Sequence, residues 1–171
     1  NIETLVDPTR TEILDEFDKL DQNLSDSDSL LIFYAGHGHW DEEIKQGYWL
    51  PRDAKEGSKG SWLSNSTIRD YITGIGSKHT LLIADACFSG GIFKTRTAFR
   101  KSGNASAVEK IFKLTSRKAM TSGVLEEVPD NSVFLKYLIK RLSENREAHF
   151  PSERLFSELR MAVINNSPVN Q

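Results

Sequence analysis

HTLLIADACFSGG, residues 79 to 91, decides how the rest of the chain is read. Its first eight residues are a short apolar run without alternation, the pattern of a strand buried on both faces of a sheet. The run leads through Asp85 to Cys87, the only cysteine in the chain, and breaks at Ser89, Gly90 and Gly91. LLIFYA, residues 30 to 35, has the same doubly buried pattern and runs into GHGH at 36 to 39. Helical patterns surround these two strands. Thr9 stands three residues before Glu12, and Ile13, Leu14, Phe17, Leu20 and Leu24 then recur at helical spacing. Ser64 to Ser66 cap a second helix with Ile68, Tyr71, Ile72 and Ile75 on one face, stopped by Gly74 to Gly76. Alternating strands and helices predict an α/β fold, a mostly parallel sheet flanked by helices. GYWLP (47 to 51) and IFKLTS (111 to 116) read as further strands in otherwise loop-like stretches. Amphipathic helices at 131 to 143 and 152 to 165 finish the chain.

The chain has 171 residues, the size of one domain, and its 38% hydrophobic and 27% charged residues are those of a globular protein. No apolar run approaches the ~18 residues of a membrane span, so a membrane-embedded function is excluded. One cysteine cannot form an intrachain disulfide or a Cys-rich zinc site and suits a reducing compartment, so a cytoplasmic location is expected. The chain opens without a methionine, and a segment upstream would be invisible. Charge is unevenly spread. Eight basic residues against one acid give residues 92 to 118 a net +7, which leaves −9 for the rest of a chain of net charge −2. The stretch 92 to 110 lacks periodicity and reads as a basic mobile loop. Nucleic-acid binding would need a folded basic face with stacking aromatics and is not expected.

In an open parallel sheet ligands bind at the carboxyl ends of the strands. GHGH and DACFSGG both stand at such ends, which makes a histidine and a cysteine at one sheet edge a candidate general base and nucleophile. Gly36 and Gly38 let the backbone turn sharply and a substrate approach closely, and a main-chain N–H after the histidine can face an oxyanion. A lone cysteine on an apolar strand is by itself more often a core residue than a nucleophile; the GHG sequence 50 residues upstream of Cys87 turns that balance. His39 is the competing base. A metal site using both histidines lacks further ligands at recognisable spacing, so no metal is expected.

YAGHG, GYWLPRDA, LLIADACFSGG, SRKAMTSG and a helix beginning NSVF, in this order, resemble the caspase-like domain of metacaspases and their bacterial relatives. The resemblance covers nearly the whole chain. It implies the caspase-hemoglobinase fold and a cysteine endopeptidase, with His37 as the catalytic histidine, Cys87 as the nucleophile, and the N–H groups of Gly38 and Cys87 as the oxyanion hole. By strand alternation Asp85 and Cys87 project to the same side. A carboxylate there raises the thiol's pKa, which makes more sense if the substrate supplies a cation to pair with it. The resemblance agrees: an aspartate at this place in metacaspases selects Arg or Lys before the scissile bond. Asp85 as a structural acceptor is the alternative. Asp53 has structural and pocket roles equally open, and segment 111 to 123, with Ser116, offers a strand edge to substrate or simply packs in the core.

The resemblance further implies self-processing in the basic loop, with Lys94, Arg96, Arg100 and Lys101 as candidate cleavage positions. A first core strand and helix and a last strand, usual in such domains, are missing from this chain, so a companion segment or chain supplying the first strand is an expected partner beside the peptide substrate. No cofactor is expected. Calcium, needed by some metacaspase relatives, would use scattered carboxylates that leave no linear signature. The competing function is a catalytically silent caspase-like scaffold or regulatory binding module.

Overall fold

A computed structural model describes residues 1–86, 113–122, 132–147 and 150–167. The basic loop, Cys87 and the four candidate cleavage positions lie outside the described residues.

The first helix, α1 (Arg10–Asn23), opens with the capping box that the sequence encodes: the Glu12 N–H donates to Thr9 Oγ1, and Glu12 Oε2 accepts from the Thr9 N–H at 2.7 Å. The Thr9 N–H and then the Thr9 hydroxyl, both donating to that oxygen, hold the Glu12 carboxyl below the usual carboxylate range. β1 (Ser29–Ala35) follows, then an antiparallel hairpin of β2 (Gly38–Asp41) and β3 (Gln46–Trp49), and the two-residue β4 (Leu63–Ser64). α2 (Asn65–Gly74) is capped by Ser64, whose hydroxyl accepts from the Thr67 N–H. β5 (His79–Asp85), β6 (Ser116–Thr121), α3 (Val133–Glu144) and α4 (Ser152–Asn166) complete the described elements.

Two sheets result, a parallel one ordered β1-β5-β6 and a small antiparallel one ordered β2-β3-β4. Period-two alternation divides central β5 between two cores. Leu82 and Ala86 join Ile13, Phe17, Ile68 and Ile72 of α1 and α2, with Trp49 and Leu63. Ile83 joins Met120 and the apolar stripes of α3 and α4, including Phe134, Leu138 and Leu159. Helices therefore cover both faces of β5, as its unbroken apolar run requires.

Two expectations need correction. β1 is not buried on both faces: Leu30, Ile32 and Tyr34 pack inward, but Leu31 and Phe33 are 61% and 45% exposed. β1 lies at the edge of the described sheet, paired only with β5. The strand expected at 111 to 116 also lies further on, because residues 113–115 are not in a strand and β6 begins at Ser116. Its polar residues found partners that a hydrophobicity pattern does not see. Arg117 donates to the carbonyls of Ile72 (2.9 Å) and Ile75 (2.7 Å) at the end of α2 and of Lys78 (3.2 Å) just before β5, and Lys118 Nζ pairs with Glu153 Oε1 at 2.6 Å on α4. These two members of the basic segment are thus engaged within the fold.

Candidate active site

Parallel pairing of β1 with β5 sets Ala35 opposite Asp85, so the carboxyl ends of the two strands finish level, ~4.8 Å apart by ordinary strand spacing. The Gly36 N–H reaches the Asp85 carbonyl at 3.4 Å and carries the contact one residue beyond the ladder. His37 comes two residues after Ala35, where the chain turns from the parallel sheet into β2. Its imidazole is exposed, and no described residue makes a hydrogen bond to it.

The backbone at His37 is firmly bonded. Its carbonyl accepts from the Leu50 N–H at 3.0 Å and from Tyr34 Oη at 2.7 Å. The first of these bonds has a geometric consequence for the next residue. It marks His37 and Leu50 as a hydrogen-bonded position of the antiparallel ladder, so the neighbouring Gly38–Trp49 pair is a non-hydrogen-bonded one. The Gly38 N–H therefore points away from β3, toward the side of β2 on which no described strand pairs.

Asp85 ends β5 on the α3/α4 side, following the alternation of Leu81 and Ile83. Its side chain is buried, 7% exposed, and among the described residues Oδ1 has no hydrogen-bond partner. A buried carboxylate oxygen without a partner is costly to fold and uncommon in native proteins. Ala86, immediately before Cys87, is also buried, and its N–H donates to the Ser122 hydroxyl at 3.2 Å. The Ser122 N–H in turn bonds the Ala84 carbonyl at 3.0 Å, so β6 braces the end of β5 with a side chain and a main-chain group. Sequence reasoning gave Ser122 no role, though it lies in the SRKAMTSG stretch.

The remaining candidates do not all gather at this edge. Ser116 pairs with His79, at the opposite end of the sheet, six residues or roughly 20 Å of strand from the level of Asp85. Asp53 is exposed, and its Oδ1 accepts from the Arg10 N–H at 2.8 Å, a structural task at the start of α1. His39, the competing base, tilts against the Trp62 ring at 4.9 Å. Asp41, at the far end of β2, is buried; it pairs with Lys59 and accepts from the Glu43 and Ile44 N–H groups at 3.0 and 3.2 Å. The Lys59 bond, then the backbone bonds, hold its carboxyl below the usual carboxylate range. Among the described residues no group of three or more His, Cys, Asp or Glu could hold a metal ion, and no helix is long and apolar enough to cross a membrane.

The family description "Caspase domain" matches residues 1–171. A crystal structure of a Geobacter sulfurreducens protein, solved as a structural-genomics target, is similar over 96% of this chain and 71% of that one, with 14% identity and a TM-score of 0.55. At that identity the likeness speaks to fold alone. No curated protein is similar enough to match.

Proposed function

Because the chain belongs to the caspase domain family, we propose that it is a cysteine endopeptidase acting through His37 and Cys87 and cutting after Arg or Lys. The observation that carries the specificity is Asp85, a buried carboxylate whose Oδ1 has no partner among the described residues, at the sheet edge where His37 sits. An arginine or lysine side chain entering beside it would supply the missing donors and cancel the buried charge.

In this reading the Cys87 thiolate attacks the carbonyl carbon of the scissile bond, and the oxygen takes up the negative charge facing the N–H groups of Gly38 and Cys87. The outward direction of the Gly38 N–H supports that assignment. Protonated His37 then gives its proton to the leaving amine as the C–N bond breaks, leaving a thioester. Neutral His37 takes a proton from water, whose oxygen attacks the thioester. The acid leaves, and the thiolate and imidazolium are restored. Lys94, Arg96, Arg100 and Lys101 meet the same specificity and are the proposed self-processing positions. A companion segment with a strand on the outer edge of β1 and a helix over the face of Leu31 and Phe33 would cover both, which agrees with their exposure.

The test is labelling by peptidyl electrophiles that carry Arg or Asp next to the warhead. Wild type should take up the Arg reagent faster, His37→Ala much more slowly, and Cys87→Ala not at all. Equal labelling of Cys87→Ala, or preference for the Asp reagent, would refute the assignment. An inert thiol in the folded wild type would favour the silent binding module.

A further inference from the structure

We propose that Tyr34 is a positioning residue for His37: its hydroxyl clamps the His37 carbonyl and so holds the imidazole at the end of β5. This role rests on the peptidase reading above, in which His37 transfers the proton.

The need for a clamp follows from how His37 is held. Among the described residues no side chain bonds the imidazole, and what they contribute to the direction of the ring is the backbone that carries it. That backbone is the two-residue link of Gly36 and His37 between β1 and β2, crossing from one sheet to the other. Two donors meet at the His37 carbonyl. Leu50 holds it from the β3 side, and Tyr34 Oη, at 2.7 Å, closes the turn on itself.

The phenol ring is itself fixed. It lies against the Trp49 indole with centroids 3.8 Å apart and planes 7° from parallel, and Trp49 is buried in the α1/α2 core. Position 36 completes the arrangement. A Cβ on Gly36 would lie 2.7 Å from Tyr34 Oη and 2.9 Å from Cζ, closer than non-bonded atoms approach, so any side chain there drives the ring off its place. The glycine of YAGHG that precedes the histidine therefore serves the tyrosine. The rigid core reaches His37 through Trp49, Tyr34 and a main-chain carbonyl, in keeping with the sub-ångström positioning that proton transfer demands.

Tyr34→Phe keeps the stacked ring and removes the hydroxyl that makes the clamp. Two independent readouts are compared with wild type. Amide hydrogen exchange reports the clamp directly: in Tyr34→Phe the Leu50 N–H, which shares the His37 carbonyl, should exchange at least fivefold faster, while the Leu82 N–H in the core is unchanged. Peptide hydrolysis reports the consequence: kcat should fall about tenfold or more with KM nearly constant, since a 1 Å misplacement costs on the order of a hundredfold. Gly36→Ala should reproduce both changes and alter the near-ultraviolet signal of the Tyr34–Trp49 stack. Unchanged Leu50 exchange would overturn the clamp. Faster exchange with unaltered kcat, in an enzyme that His37→Ala inactivates, would overturn the positioning role. Should His37→Ala leave hydrolysis intact, the peptidase reading and with it the positioning role fail, and the exchange data show whether the clamp exists regardless.

Discussion

Replacing Asp85 by Asn should make the protein more stable and less active at once. The side chain is 7% exposed, and its Oδ1 has no partner among the described residues. An unsatisfied buried polar group costs ~1–3 kcal/mol, more when charged. The amide keeps the shape and removes the charge but still buries polar atoms, so the gain belongs at the lower end, about 1 kcal/mol, or ~2–4 °C in Tm for a domain of this size. The functional effect has the opposite sign. Removing one partner of a desolvated ion pair costs ~2–5 kcal/mol. At 1.36 kcal/mol per decade this lowers kcat/KM about 30-fold to 5,000-fold for peptides with Arg or Lys before the scissile bond. Peptides with a neutral residue there should be cleaved no more slowly than by wild type. Thermal melts and kcat/KM on matched Arg, Lys and Gln reporters give both numbers from one preparation. A variant that melts lower than wild type and keeps its ratio of Arg to Gln cleavage would refute the reasoning and make Asp85 a structural acceptor.

Arg117 and Lys118 are neighbours on β6 with very different expected weights. Arg117→Met strips donors from the Ile72 and Ile75 carbonyls at the end of α2 and one from that of Lys78, and should cost about 2–4 kcal/mol in urea unfolding, while Lys118→Met, breaking a half-exposed pair with Glu153, should cost about 0–1 kcal/mol; equal losses would contradict the described contacts. Asp41 gives a pH dependence. Its folded carboxyl lies below the usual range because of Lys59, Ile44 and Glu43, so the unfolded chain binds the proton first as pH falls. The stabilisation is fully present above about pH 4 and is lost as pH drops through the depressed folded value. The gap in urea midpoint between wild type and Asp41→Asn should therefore close as pH falls below about 4, and a gap that widens with acid would reverse the assigned sign.

What was legible in the sequence depended on whether the deciding partner was local. Thr9 and Glu12, or Ser64 and Thr67, meet within one turn of helix, and their spacing announces the contact. β5 was legible because a central strand covered on both faces must be apolar throughout. The same reasoning misled for β1, whose apolar residues continue onto a face that no described helix covers. β2 was invisible: GHWD is four residues without alternation, and it is a strand only because β3 returns alongside it. β6 was displaced by its own charges, since the apolar run of IFKLTS ends before Arg117 and Lys118, whose partners on α2 and α4 no local pattern shows. At the site, GHG and DAC could be recognised as types of chemistry. The partner of the Tyr34 hydroxyl is a main-chain carbonyl, which has no letter in the sequence, and so the tyrosine passed for a core residue.

The peptidase reading sets two demands on the end of β5 that oppose one another. Selecting a basic side chain calls for a desolvated carboxylate, while nucleophilic attack calls for a thiolate, which a neighbouring carboxylate disfavours. In the peptidase reading the opposition is greatest when the site is empty, because low dielectric strengthens the repulsion and no described residue donates to Oδ1. An arriving arginine or lysine reverses the sign of the local field and removes the obstacle to ionising the thiol. Substrate binding and activation of the nucleophile then become one electrostatic event, and a peptide without a basic residue is rejected twice, by lost affinity and by an unreactive thiol. Asp85→Asn separates the two effects. If the reasoning holds, iodoacetamide should alkylate Cys87 faster in the empty variant than in empty wild type at neutral pH, although the variant is the poorer enzyme toward arginine peptides. Slower alkylation would mean that Asp85 supports the thiol, and the carboxylate would have to be read as part of the nucleophile's own machinery.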